Sequence, residues 1–65
     1  MQIYLNGAPI DTACQNLYEL IQELALEGKR FAVELNEQIV PKSKLAQYQL
    51  SDQDRIEIIH AVGGG

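Results

Sequence analysis

Residues 1–24, MQIYLNGAPIDTACQNLYELIQEL, decide the fold, because apolar spacing switches within them from a period of two to a period of nearly four. Met1, Ile3 and Leu5 share one face while Gln2 and Tyr4 take the other, the pattern of a half-buried strand. Asn6-Gly7 follows, the dipeptide best suited to positive φ at a tight hairpin turn. A second strand, roughly Pro9 to Ala13, is expected to pair back. Pro9 has no N–H for the ladder, so this strand either lies at an edge or begins there. Asn16 with Glu19 three residues on reads as the N-cap and N3 positions of a helix. Leu17, Leu20, Ile21 and Leu24 then form one buried stripe, leaving Glu19, Glu23 and Glu27 in water. Gly28 suits the C′ position, with Lys29 and Arg30 placed to complement the helix dipole.

Working outward, residues 31–36 (FAVELN) alternate again with Val33 and Leu35 inward, and a turn at NEQ leads into a short strand, Gln38-Ile39-Val40, stopped by Pro41. The mixed stretch Lys42 to Tyr48 reads as one or two helical turns carrying Leu45 and Tyr48 under the sheet. After Leu50 and the polar turn Ser51-Asp52-Gln53-Asp54, the last strand runs from Arg55 to Ala61 with Ile56 and Ile58 inward. The order strand, strand, helix, strand, short strand, strand predicts an α+β fold: a mixed sheet of four to five strands with one helix across one face. Placing the first and last strands side by side at the centre sends the C-terminus out of the sheet's middle. The expected organisation is a domain over residues 1–61 and a flexible, reactive tail over 62–65.

A chain of 65 residues removes only about 60% of its unfolded surface from water, so the core is thin. The apolar content of 46% and charged content of 22% are nonetheless those of a folded domain. Net charge is −4, and Lys29, Arg30, Lys42, Lys44 and Arg55 are scattered along the sequence with no basic stripe. Nucleic acid is therefore not an expected partner, whereas an acidic carrier meeting a basic partner surface is. The single cysteine, Cys14, allows no intrachain disulfide, and the apolar runs are too short to span a membrane. The chain is read as cytosolic and whole as written, with no membrane partner.

Constellations for catalysis are missing. His60 is the only histidine, which rules out a two-histidine metal site, and Cys14 has no activating base near it in sequence. Asp52 and Asp54 bracket a turn, where Asp commonly bonds local backbone. No catalytic residue, metal or bound cofactor is expected. The ending AVGGG is the unusual feature, since Gly63, Gly64 and Gly65 have no side chain to bury and the largest backbone entropy to lose. Either they are padding or the free end is the point. Residues 61–65 reach about 17 Å when extended, and the last three can thread a channel no wider than a backbone. The Gly65 α-carboxylate is a poor electrophile until activated. Acyl-adenylation by a partner using Mg-ATP would let a sulfur or nitrogen nucleophile displace AMP.

The whole chain resembles the ThiS-type sulfur carrier proteins of bacterial thiamin biosynthesis, small ubiquitin-like β-grasp proteins. The resemblance runs through MQIYLNG, LYELIQEL, VELNEQIVPKSKLAQ and DRIEIIHAVGGG, and its most specific signature is N-x-x-I-V-P (Asn36 to Pro41) with a terminal Gly-Gly. It implies that a ThiF-like enzyme adenylates Gly65, that a cysteine desulfurase relay converts it to a thiocarboxylate, and that a ThiG-like thiazole synthase takes the sulfur. Gly64 is then the neighbour in the diglycine and Gly63 part of the lead. The chain departs from the family at Asp52-Gln53-Asp54, where members often carry Asp-Gly-Asp, which costs stability if the turn needs positive φ at Gln53. Alternatives of the same build are a carrier for molybdopterin or cysteine synthesis, or a ubiquitin-like protein modifier. From the pleat, Tyr4 on the first strand and Ile59 on the last face outward, and central neighbouring strands would bring them together. Tyr4, Ile59 and Val62 are the candidate docking residues.

Overall fold

The computed structural model describes residues 1–60. The predicted boundary after residue 61 and the tail 62–65 lie outside the described residues. The elements are β1 (Gln2–Leu5), β2 (Ala8–Asp11), α1 (Leu17–Glu23), β3 (Phe31–Leu35), β4 (Gln38–Val40), a 3-10 helix (Lys42–Gln47) and β5 (Arg55–His60). They form one mixed five-stranded sheet in the order β2-β1-β5-β3-β4. β1 and β5 are parallel neighbours at the centre, and the other three pairings are antiparallel. Pro9 sits on the β2 edge, where its missing N–H disturbs no ladder.

Two hairpins carry the two-residue turns that match strand twist. Asn6 and Gly7 (φ 50° and 85°) join β1 to β2, and Asn36 and Glu37 (φ 49° and 71°) join β3 to β4. Both asparagines also reach β5. The Asn6 side-chain oxygen accepts from Ile58 N–H at 2.8 Å, while the Asn36 side chain accepts from Arg55 N–H at 2.9 Å and donates to Asp54 at 3.0 Å. Each hairpin tip is thereby tied to the central strand.

The helix begins as its sequence requires, with the Asn16 side chain accepting from Glu19 N–H at 2.9 Å. The Glu19 carboxylate reaches back one residue beyond the usual box, to Gln15 N–H at 2.8 Å. Its C-terminus differs from expectation. The helix ends at Glu23, Leu24 is the C-cap, and Ala25 takes the left-handed C′ position with φ 58°. Leu26 N–H bonds Ile21 C=O and Ala25 N–H bonds Gln22 C=O, both at 3.0 Å, the two bonds of a Schellman motif. Leu26 and Ile21 are both core residues, so burying Leu26 fixes the stop one turn before Gly28. Gly28 (φ 80°) serves a later turn, and the last helical turn carries no basic residue, so Lys29 and Arg30 do not complement the helix dipole.

The core lies between α1 and one sheet face, with Ile3, Leu17, Leu20, Ile21, Val33 and Ile56 essentially sealed from solvent. The 3-10 helix contributes Leu45, and the segment behind it closes the base of α1. There Leu17 N–H bonds Tyr48 C=O at 3.1 Å and Leu50 N–H bonds Gln15 C=O at 2.8 Å. The turn before β5 does need positive φ at Gln53 (72°), the strain that the missing glycine implied. Asp54 holds local backbone, accepting from Ser51 N–H at 2.7 Å, whereas Asp52 reaches across to β1 and accepts from Gln2 N–H at 2.9 Å. No described helix is long and apolar enough to cross a membrane.

Candidate functional site

β5 is the strand that delivers the glycine run. It lies between β1 and β3, and its ladder with β3 continues to Phe31 opposite His60, the last described residue. Its register with β1 stops at Leu5 opposite Ile56. The end of β5 is therefore zipped on one side, and on the other borders a hollow of about 160 Å³ lined by Leu5, Asn6, Leu24, Leu26, Ile58 and His60. Residues 61–65, which include Val62, Gly63, Gly64 and Gly65, come next in the sequence and lie outside the described residues.

The sheet face away from α1 carries Tyr4, Glu34, Arg55, Glu57 and Ile59 by strand alternation. The expected Tyr4–Ile59 patch is not formed. Tyr4 stands opposite Arg55, and Ile59 is four residues further along β5, about 13 Å away along the strand. Alternation gave the correct face but not the register. Ile59 is 59% exposed and aligns with Ala32, while Ile39 on β4, 74% exposed, is the larger apolar surface that the sequence reading passed over. Its signal was available: Val40 is buried opposite Val33, so its neighbour Ile39 must point outward.

Three of the five cations, scattered in sequence, gather in space. A hollow of about 350 Å³ brings Lys29, Arg30 and Lys42 together around Phe31. The Lys42 ammonium sits 4.3 Å from the Phe31 ring centroid and donates to Lys29 C=O at 2.9 Å. Glu27 also lines this hollow and accepts a hydrogen bond from the Tyr18 hydroxyl, which holds the Tyr18 proton and raises its pKa above the ordinary phenol value.

Cys14 lies in the loop between β2 and α1, buried rather than presented. Its thiol donates to Glu23 Oε2 at 2.6 Å, and Thr12 donates to the same oxygen at 3.4 Å while accepting from Cys14 N–H at 3.0 Å. Burial first, and then the Glu23 carboxylate, push the Cys14 pKa up. A base beside the cysteine exists after all, nine residues away, but it holds the proton on sulfur instead of removing it.

A five-stranded sheet in this order, with the last strand at its centre, matches a known family. The family model described as ThiS family matches residues 3–65. The chain belongs to the ThiS family. The sulfur carrier protein ThiS of Bacillus subtilis (strain 168) is 37% identical over 67 residues, covering 97% of this chain and 98% of that one. A thiazole synthase of Paramagnetospirillum magneticum is 38% identical over 66 residues, and this chain spans only 20% of its length. The crystal structure of the thiamine biosynthesis protein (ThiS) from Geobacter metallireducens superposes with a TM-score of 0.83 at 26% identity, covering 100% of both chains. ThiS membership fits the β-grasp arrangement of one helix on a mixed sheet.

Proposed function

We propose that this ThiS-family chain is a sulfur carrier for formation of the thiazole of thiamin, a recycled cosubstrate and not a catalyst. One observation carries the reading: β5, the central strand of a ThiS fold, is the last described element, and in the sequence its final residue His60 is followed by Ala61-Val62 and then Gly63-Gly64-Gly65. The names of the relatives, sulfur carrier and thiazole synthase, support the same pathway. With the Gly65 carboxylate free, the reaction begins when that oxygen attacks the α-phosphorus of Mg-ATP in a ThiF-like enzyme, forming the acyl-adenylate and releasing pyrophosphate. The outer sulfur of a persulfide relayed from a cysteine desulfurase adds at the activated carbonyl and AMP leaves; a thiol then attacks the inner sulfur, releasing the thiocarboxylate and leaving a disulfide on the relay. The net change replaces one carboxylate oxygen by sulfur. A ThiG-like thiazole synthase then receives that sulfur. Glycine has no Cβ, so the last three residues fit a passage of backbone width.

The test is the intact mass after incubation with a ThiF-like enzyme, Mg-ATP, a cysteine desulfurase supplied with cysteine, and a thiol reductant, beside a chain lacking Gly65. Exchange of one oxygen for sulfur, absent from the shortened chain, is expected. A folded protein that gains neither adenylate nor sulfur would remove the reading.

A further inference from the structure

We propose that Lys29, Arg30 and Lys42 form a basic rim at the root of the tail that docks an acidic protein segment bordering the entrance through which the activating enzyme takes up the tail. The inference rests on the carrier function proposed above.

The rim is built by register. β4 ends at Val40 opposite Val33, the 3-10 helix that begins at Lys42 brings the Lys42 ammonium to 4.3 Å from the Phe31 ring centroid, and β3 sets Phe31 opposite His60. At the end of the sheet His60 and Phe31 thus lie side by side with Lys42 against the Phe31 ring, and Lys29 and Arg30 directly precede β3. Arg30, Phe31 and Lys42 also line a second hollow, of about 340 Å³, that continues to Ile59 and His60. The basic surface therefore runs from the helix side of the sheet around its end to the open face. Three of the chain's five cations stand here against one lining carboxylate, Glu27, in a molecule whose net charge is −4. The local field opposes that of the whole. Lys42 is already held over the Phe31 ring and against Lys29 C=O, so docking an anion to it costs little ordering entropy.

Chain length identifies what the rim meets. Residues 61–65 span at most about 17 Å. When they are drawn out, the reacting carboxylate and its nucleotide lie at the far end of that span from His60. The rim instead faces the protein body around the entrance. Carboxylates there would attract the tail-bearing end while repelling the acidic remainder, turning the molecule tail-first during encounter.

The test compares two charge reversals of equal size in the full chain, Arg30→Glu on the rim and Lys44→Glu, which lines neither hollow. Pyrophosphate release by a ThiF-like enzyme is followed at low and high salt. Arg30→Glu, and more strongly K29E/R30E, is expected to lower kcat/KM by roughly tenfold at low salt, with kcat unchanged and the difference closing as salt rises. Lys44→Glu is expected to change it much less. Equal losses in Arg30→Glu and Lys44→Glu, or none in either, would overturn the rim while leaving the carrier function standing. A loss confined to sulfur delivery to thiazole synthase, with adenylation untouched, would also overturn the assignment to the activating enzyme. A wild-type chain that forms no adenylate would remove both proposals. Circular dichroism and thermal unfolding of each variant separate docking from misfolding.

Discussion

Ala25 and Gln53 hold left-handed backbone, at φ 58° and 72°, that a residue with a Cβ adopts at a cost. Relief of that strain outweighs the added chain entropy of glycine, so Ala25→Gly and Gln53→Gly are each expected to stabilise the domain by about 0.5–1 kcal/mol. Urea unfolding midpoints measure this, and a lowered midpoint would show that neither site is strained. The two residues differ in legibility. Gln53 stands where the family often carries glycine, whereas an alanine closing a Schellman motif leaves no mark in sequence, and the obvious glycine three positions later drew the predicted stop. Cys14 illustrates the same limit, since its partner Glu23 comes from the next element. Its raised pKa gives a defined pH response. The folded thiol stays protonated where an unfolded one has begun to ionise, so stability falls as pH rises from the ordinary thiol range through the raised value. Labelling by a thiol reagent is expected to be slow near neutral pH, to climb only in alkali, and to be several-fold faster at neutral pH in Glu23→Gln. Equal labelling rates in the two proteins would dismiss Glu23 as the cause.

Among the elements, both hairpin turns were legible because they are asparagine-led and flanked by alternating apolar residues, although β2 runs Ala8–Asp11 and not Pro9 to Ala13. Alternation assigns a face, but slipping one strand by two residues along another preserves every face. That is why Tyr4 and Ile59 were rightly put on the open face and wrongly put together. The same gap hid the basic rim. Lys29–Arg30 and Lys42 become neighbours only once the β3–β4 register is known, and a count along the chain shows them as isolated charges. Asn36 carries an element-scale prediction. Asn36→Ala removes its side-chain bonds to Arg55 N–H and Asp54 and puts a residue less suited to φ 49° at the turn. The expected loss is about 2 kcal/mol in chemical unfolding. A loss under about 0.5 kcal/mol would mean that the hairpin tip is not anchored by this side chain.

At the scale of the molecule, one sheet face is sealed by α1 and the 3-10 helix, and the other is left uncovered with Ile39 and Ile59 exposed. Because Tyr4 and Ile59 are separated along the sheet, Tyr4→Ser and Ile59→Ser are expected to act independently on affinity for the activating enzyme. Their free-energy effects in a titration should add within about 0.5 kcal/mol, with thermal unfolding little changed. Strong coupling would instead require the two side chains to share one partner pocket. What the sequence could not convey at this scale is the distribution of charge: a net value of −4 describes the average and conceals an end of opposite sign.

The parallel contact between β1 and β5 also decides how the protein bears load. These strands lie nearest the two ends of the described chain, and because they run the same way, pulling the ends apart drags them past one another. Their hydrogen bonds must then rupture together in shear, whereas force applied across β4 would peel bonds from an edge one at a time. A pull along β5 from its His60 end, resisted at the start of β1, therefore meets the sheet in its more resistant direction.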